Sequence, residues 1–251
     1  MIKCTFTIDS LFMQTPVTVH VALPYPDFNG QRIKNLWALH CAMKNGEYFF
    51  NELGMLNIVD SMSVAVIAPD LGNAFFSDTA FANAGSFLRR ELPDVMAKTF
   101  NLSMEREDNE IMGISMGAYG ALAWILSSPK LFSKAYLLSG VYDFDLSPEF
   151  IKAVPRAQRS LFRAVSNMNK IIFDEGTYTE GCDLIKLLEA CDDPNTVIRM
   201  FCGLQDGMCM EPNESMLKSL QDHGFDASLS VQDGAHEGAY WRRCIEGIFK
   251  L

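Results

Sequence analysis

Ser115 stands in a pattern that can turn a serine hydroxyl into a nucleophile. The run Gly113-Ile114-Ser115-Met116-Gly117 follows a short apolar stretch and precedes small residues that favour a helix. A serine between two such glycines is typical of the nucleophile elbow, a tight strand-to-helix turn that exposes the hydroxyl at a helix N-terminus. The three fixed positions arise by chance in about one chain of this length in ten, so the flanking strand and helix carry the prediction. The alternative is an ordinary glycine-rich turn.

A serine nucleophile needs a general base, and His236 occupies the position that suits this role best. The base must take the hydroxyl proton from within hydrogen-bond reach. In open α/β sheets such groups collect at the carboxyl ends of strands, and His236 lies on the loop after the last predicted strand. It also follows the serine in the chain, which is the order found with this elbow. His40 ends an earlier strand, whereas His20 and His223 are expected to have structural roles.

Asp206 is the acid expected to orient the His236 ring. It follows a predicted strand, in the turn Gly203-Leu204-Gln205-Asp206-Gly207. A carboxylate there would accept the proton-bearing side of the ring and hold the other nitrogen towards the serine. Because Asp-Gly is also a common turn pair, the alternative is a structural turn residue. The other candidate acids are Asp192, Asp193 and Glu211.

Ester or amide chemistry at a serine also requires an oxyanion hole, which is built from two backbone N–H groups. The residue after the nucleophile, Met116, is expected to supply one of them. The second is expected from the loop that follows the strand ending at His40, so from Cys41 or Ala42. A backbone donor tolerates any side chain, and Ala42 is preferred on position alone.

The composition excludes several classes of partner. The chain has 251 residues, a net charge of −10, and 49% apolar residues, which argues for a globular protein and against nucleic acid or anionic membrane as partners.

Seven cysteines, without a Cys-x-x-Cys motif, are expected to be reduced thiols. No histidine stands near a cysteine pair, so neither a metal nor a cofactor is expected. Without a signal pattern or a long apolar run, the sequence predicts a cytoplasmic protein.

Stretches typical of strands alternate with stretches typical of helices along most of the chain. The predicted strands are 3–9, 17–23, 33–40, 63–68, 111–114, 135–139, 196–202 and 227–231. A long helix is expected over 79–100, with a kink at Pro93. The segment 143–189 is expected to be a helical excursion, either a cap over the active site or a plain connection. The pattern predicts one α/β domain over 1–251, with a mostly parallel sheet of about eight strands and helices on both faces.

Five stretches, spread over almost the full length, carry a resemblance to a known family. They are L-W-A-L-H-C-A-M-K-N-G-E-Y-F at 36–49, V-I-A-P-D at 66–70, G-I-S-M-G-A-Y-G-A at 113–121, F-C-G-L-Q-D at 201–206 and G-A-H-E-G-A-Y-W at 234–241. The chain resembles the esterase D-like branch of the α/β-hydrolases, and within that branch the bacterial tributyrin esterases. The run Ser-Met-Gly-x-Tyr-Gly is more selective than the bare elbow pattern.

This resemblance implies the α/β-hydrolase fold and a serine carboxylesterase that hydrolyses short-chain acyl esters through an acyl-enzyme. The implied triad is Ser115, Asp206 and His236, and the implied oxyanion donors are Met116 and Ala42. The expected partner is a small-molecule ester, and homo-oligomerisation stays open. The alternatives are an S-formylglutathione-type thioesterase, a carbohydrate acetyl or feruloyl esterase, and a non-catalytic binding module that has kept the fold.

Three further residues are candidates for the substrate pocket. Phe75 and Phe76 match aromatic residues that lie near the acyl pocket in relatives, and the alternative is simple packing over the following helix. Cys41 stands where the family has glycine in a His-Gly dipeptide. This departure leaves the triad intact, but it is expected to alter oxyanion geometry or substrate fit.

Overall fold

Eight strands form one central sheet in the order β1-β2-β4-β3-β5-β6-β7-β8 in the computed structural model, which describes residues 1–25, 33–79, 82–142 and 183–250. The strands are β1 (Ile2–Asp9), β2 (Pro16–Leu23), β3 (Lys34–Leu39), β4 (Val64–Pro69), β5 (Asn109–Ile114), β6 (Lys134–Leu138), β7 (Val197–Gly203) and β8 (Ala227–Gln232). β2 pairs antiparallel with β1 and with β4, and all the other pairs are parallel. The parallel strands therefore end at one edge, where polar side chains can meet.

Helices cover the sheet and fill the connections between its strands. Those described are α1 (Glu47–Asn51), α2 (Leu56–Met62), α3 (Ala84–Ser86), α4 (Leu92–Phe100), α5 (Met116–Ser127), α6 (Leu184–Ala190), α7 (Met210–Asp222) and α8 (Gly238–Phe249). A π-helical turn at Phe87–Glu91 joins α3 to α4. None of the helices in the described part of the chain is long and apolar enough to cross a bilayer.

The centre of the sheet is the most deeply buried part of the molecule. β4 is buried along its whole length, and β3 is buried from its second residue onwards. Both are apolar runs without alternation, as strands covered on two faces require. α5 follows β5 after Ser115. It is buried from Met116 to Leu126 and is apolar on all its faces, so it is a core helix and not a surface helix with one apolar face.

The sequence prediction of the fold class is confirmed, and the strand bounds agree to within two residues. The helix predicted over 79–100 is wrong at its start, since α3 begins at Ala84. The Asp78 carboxylate accepts hydrogen bonds from the amide and the hydroxyl of Ser86, which fixes the entry to the helix. Pro93, where the kink is predicted, is the second residue of α4 and directly follows the π-helical turn, and it has no N–H to donate within the helix.

The helical excursion predicted over 143–189 falls largely outside the described residues. Only its end is seen, where Asp183 caps α6 by accepting hydrogen bonds from the amides of Ile185 and Lys186. The cap over the site and the single-domain arrangement of 1–251 therefore stay predictions.

Gly117 lets the end of β3 approach the first turn of α5. A Cβ atom at this position would lie 2.0 Å from the carbonyl oxygen of Leu39 and 2.7 Å from that of His40. Both atoms belong to backbone, so a larger residue cannot be accommodated by a side-chain rotation. This contact brings the loop after β3 next to Ser115.

We expect Gly117→Ala to lower the free energy of unfolding by about 3 kcal/mol, because overpacking against a fixed backbone costs this much. Gly247→Ala is the matched control. Position 247 lies in α8 with open space around it, and alanine there should stabilise the helix by up to about 1 kcal/mol. Urea unfolding measures both variants, and equal effects at the two sites would contradict the proposed contact.

Candidate active site

Ser115 sits on a strained turn between β5 and α5. Its backbone has φ 56° and ψ −115°, a conformation that costs a non-glycine residue on the order of 1–3 kcal/mol. The Ser115 amide donates to the Leu138 carbonyl over 2.8 Å, which ties the turn to β6. At Gly113 a Cβ atom would lie 2.1 Å from the carbonyl oxygen of Gly117. The two glycines of the motif are therefore steric requirements of the turn.

The three residues of the predicted triad form one chain of hydrogen bonds. The Ser115 Oγ lies 2.9 Å from Nε2 of His236, and Nδ1 of His236 lies 2.8 Å from Oδ2 of Asp206. Because a carboxylate only accepts, Nδ1 carries the ring proton and Nε2 is left to accept from the serine hydroxyl. The side chains of His236 and Asp206 are 10% and 1% exposed, so the pair is shielded from solvent.

Gln205 joins the loops that carry Asp206 and His236. Its amide donates to the Gly234 carbonyl over 2.9 Å, and its side-chain oxygen accepts from the Gly234 amide over 2.7 Å. Its side-chain nitrogen donates to Asp233. A Cβ atom at Gly203 would lie 2.3 Å from the Gly234 carbonyl oxygen, so the two loops touch along their backbones. This coupling fixes the separation of the acid and the base.

Burial alone would raise the pKa of the Asp206 carboxyl, yet its pKa lies below the ordinary value. The hydrogen bond and charge of His236 have the largest lowering effect, followed by hydrogen bonds from the Ser139 hydroxyl and the Cys209 amide. Such donors stabilise the charged form. Ser139 in turn accepts a hydrogen bond of 3.0 Å from Nε1 of Trp241.

Sequence reasoning missed Ser139 and Trp241. Trp241 packs edge-on against the His236 ring, with 5.1 Å between centroids, so it contacts both the base and the hydroxyl that supports the acid. Ser139 directly follows β6, and the search for polar residues at strand ends could have found it. No pattern in the sequence points to Trp241 as a site residue, because its position on α8 is also that of an ordinary core residue of the helix.

Cys209 also lies against the acid–base pair. Its Sγ is 3.6 Å from Nδ1 of His236, and burial raises the pKa of this thiol well above its ordinary value, with the charges of Asp206 and Cys202 adding to the effect. The three donor atoms of Asp206, Cys209 and His236 lie within 4.8 Å of one another, the one such group with metal-ligating side chains in the described residues. The sequence predicts no metal, because no histidine stands near a cysteine pair, and this stays a prediction.

His40 is not a base for Ser115. Its Nδ1 donates to the Cys41 carbonyl over 2.9 Å, and its Nε2 accepts from the Leu71 amide over 3.3 Å. Burial, the largest cause, lowers the pKa of His40 below its ordinary value, so the ring is neutral and both nitrogens are used. Its role is to fix the turn after β3, in which Ala42 lies.

The other two candidate histidines and the three other candidate acids are not part of this hydrogen-bond chain. His20 bonds to Thr5 and Asp70, and the His223 ring lies 2.8 Å from the Ser219 carbonyl at the end of α7. Among the runner-up acids, Asp193 pairs with Arg106, Glu211 lies in the first turn of α7, and Asp192 is exposed.

A cavity of about 410 Å³ opens at Ser115 and His236. Its other lining residues are Cys41, Ala42, Met43, Lys44, Tyr48, Glu52, Phe75, Met116, Val141, Met208, Glu237, Gly238 and Trp241. Four predicted site residues, Cys41, Ala42, Phe75 and Met116, thus reach this cavity. Phe76 is not among the residues that line this cavity. Its ring packs on His40 and lies next to Gly120, so its place in the substrate pocket stays a prediction.

We expect Ser139→Ala to raise the pKa of Asp206, because the carboxylate loses one of its hydrogen-bond donors. A ¹³C NMR titration of the aspartate carboxyl groups measures the shift. Ser127→Ala is the control, since that hydroxyl donates to the Ala123 carbonyl within α5. An unchanged Asp206 titration in Ser139→Ala would refute the role of this hydroxyl.

Known proteins share both the sequence and the fold of this chain. The model of the putative esterase family matches residues 10–250. An acetyl esterase of Caldicellulosiruptor saccharolyticus is 26% identical over 231 residues, which span 89% of this chain and 85% of that protein.

Solved structures of serine hydrolases superpose on the whole chain. The substrate-bound fluorophosphonate-binding serine hydrolase FphF of Staphylococcus aureus has a TM-score of 0.81 at 21% identity, covering 99% of this chain and 97% of that one. The S-formylglutathione hydrolase FrmB of the same species has a TM-score of 0.78 at 20% identity, with the same coverage. These likenesses show the α/β-hydrolase fold. Since the family match spans nearly the full length, the chain belongs to the putative esterase family, and the protein is a hydrolase of carboxylic ester bonds.

Proposed function

We propose that the protein is a serine carboxylesterase that hydrolyses short-chain acyl esters through a Ser115-His236-Asp206 triad. The observation that carries the proposal is the hydrogen-bond chain of 2.9 Å and 2.8 Å that joins the three side chains, of which Ser115 and His236 line a cavity. Such a chain supplies a nucleophile, a base within reach, and an acid that orients the base.

In the acylation step, Ser115 Oγ attacks the ester carbonyl carbon while Nε2 of His236 takes the hydroxyl proton. Asp206 stabilises the imidazolium that forms. When the tetrahedral intermediate collapses, the bond from the carbonyl carbon to the alcohol oxygen breaks, and that oxygen takes the proton from His236. The alcohol leaves, and the acyl group remains on Ser115. Water then repeats the sequence with the same base, and the carboxylic acid is released.

The charge on the tetrahedral intermediate requires donors that are ready before the reaction. Met116 is the first residue of α5, so its amide has no partner within the helix. The Ala42 amide lies in the turn after β3, and both residues line the cavity with Ser115. Within the described ranges neither amide has a hydrogen-bond acceptor. We assign these two N–H groups as the oxyanion hole.

The size and lining of the cavity favour small substrates. Its volume of about 410 Å³ is near the lower end of the range of small-molecule sites, about 300–1,000 Å³. The acetyl esterase relative also points to a short acyl group. The side chains of Phe75, Met116, Met208 and Trp241 provide apolar wall around the serine.

Ser115→Ala should reduce the hydrolysis of p-nitrophenyl acetate and butyrate by on the order of 10⁴-fold or more, because loss of the nucleophile disables the whole triad. Ser127→Ala, which removes a hydroxyl from the same helix, should keep the wild-type rate. The rate of p-nitrophenol release, followed by absorbance, gives the activity of wild type and of both variants. Wild-type activity in Ser115→Ala would refute the assignment of the nucleophile.

The second candidate is a thioesterase of the S-formylglutathione type, which the likeness to the FrmB structure favours. The same triad would cleave a thioester bond, so the side chains at the triad do not separate the two functions. We expect kcat/KM for acetyl and butyryl oxygen esters to exceed that for the same acyl groups on glutathione, and to fall for acyl chains of eight or more carbons. A higher kcat/KM for the glutathione thioesters would favour the second candidate.

A further inference from the structure

The turn from Cys41 to Lys44 determines where the Ala42 amide points. The Ala42 N–H and the Cys41 carbonyl belong to the same trans peptide unit, so they point in opposite directions. His40 Nδ1 and the Lys44 amide both donate to this carbonyl, over 2.9 Å and 3.3 Å. These two bonds fix the direction of the Cys41 carbonyl, and the Ala42 N–H therefore points away from His40 Nδ1 and the Lys44 amide.

Both of these donors come from the turn itself or from the residue before it. His40 is itself held by the loop after β4, because its Nε2 accepts from the Leu71 amide over 3.3 Å. This bond holds the start of the turn, and the other end needs a contact of its own. Met43, next to the last residue of the turn, has φ 63°, a left-handed conformation that a residue with a side chain rarely adopts without support. The Met43 side chain is 61% exposed, so packing does not provide that support.

Two further residues of the loop after β4 contact this region. The Asp70 Oδ1 accepts from the Gly46 amide over 2.6 Å, just after the turn, and Asn73 contacts the turn itself. Its Oδ1 accepts a hydrogen bond of 2.7 Å from the Met43 amide. Asn73 lies on the loop after β4, whereas the turn follows β3, and these two strands are parallel neighbours. The bond therefore connects two loops at the carboxyl edge of the sheet and reaches the amide next to that of Ala42.

We propose that Asn73 is a positioning residue that holds the turn after β3 so that the Ala42 amide faces the Ser115 hydroxyl. The inference rests on the proposed function, in which the Ala42 N–H stabilises the oxyanion. Asn73 itself does not line the cavity, and it acts through the backbone of Met43. Its effect should appear in the transition state, because a donor misplaced by about 1 Å costs rate with little change in substrate binding.

The test compares Asn73→Ala with Asn45→Ala. Asn45 lies two residues after Met43, its side chain is exposed, and it makes no side-chain hydrogen bond in the described structure. The control therefore removes the same side-chain amide from the loop that Asn73 is proposed to hold, without removing a contact between the two loops. We expect kcat for p-nitrophenyl butyrate to fall about tenfold in Asn73→Ala with KM within about twofold of wild type. Asn45→Ala should keep both constants. Titration with a fluorophosphonate gives the active-enzyme concentration, so that loss of folded protein is not counted as loss of kcat.

Two further measurements separate positioning from a merely structural role. Asn73→Asp keeps an acceptor oxygen for the Met43 amide and should recover most of the lost kcat. A trifluoromethyl ketone, whose serine adduct carries an oxyanion, should bind Asn73→Ala about tenfold more weakly, whereas the parent methyl ketone should bind it as it binds wild type.

The inference is overturned if Asn73→Ala keeps the wild-type kcat, if Asn45→Ala loses as much, if Asn73→Asp recovers nothing, or if both ketones weaken equally. Equal activity of wild type and Ser115→Ala would overturn the proposed function and this inference with it. Equal activity of wild type and Asn73→Ala would overturn this inference alone.

Discussion

The close approach of two backbones at Gly117 is the constraint on which the site depends. Because only hydrogen fits between position 117 and the carbonyls of Leu39 and His40, the end of β3 lies directly against the first turn of α5. The loop after β3 and the elbow after β5 are thereby brought to one cavity. A wider separation of these elements would leave Met116 and Ala42 too far apart to bind the same oxygen atom. The geometry of the proposed nucleophile and that of the proposed oxyanion hole thus have a common steric origin.

The second requirement is electrostatic. Asp206 is almost fully buried, and a buried carboxylate is costly unless it is hydrogen-bonded. The donors come from β6, from the turn after β7 and from the loop after β8, through Ser139, Cys209 and His236. Since these groups keep Asp206 ionised, the acid continues to select the ring tautomer in which Nε2 is free to accept. Gln205 links the last two loops, so that the orientation of the ring does not depend on a single hydrogen bond.

The fold and the three principal side chains could be predicted from the sequence because local patterns determine them. Apolar runs gave the strands, the paired glycines gave the elbow, and chain order with strand-end position selected Asp206 and His236. The supporting residues could not be predicted in this way. Asn73, Gln205 and Trp241 act through contacts that span about 30 to 100 residues, and nothing local distinguishes them from turn or core residues. The same limit applies to Phe75 and Phe76, which are adjacent in the sequence, although only Phe75 lines the cavity and Phe76 packs on His40.

The replacement of glycine by Cys41 illustrates how a departure from a family pattern can leave the backbone unaffected. Cys41 is not among the described residues with positive φ, whereas Met43, two residues later, is. The turn therefore does not need the conformational freedom of glycine at position 41. The change falls on the cavity, whose wall includes the Cys41 side chain.

A second nucleophilic atom consequently lies in the cavity with Ser115. Burial raises the pKa of the Cys41 thiol to about 12, so at neutral pH it is protonated and is a poor nucleophile. Ser115, by contrast, has a base at 2.9 Å. Cys41 thus borders the cavity, whereas the proposed reaction uses the side chain that is bonded to His236.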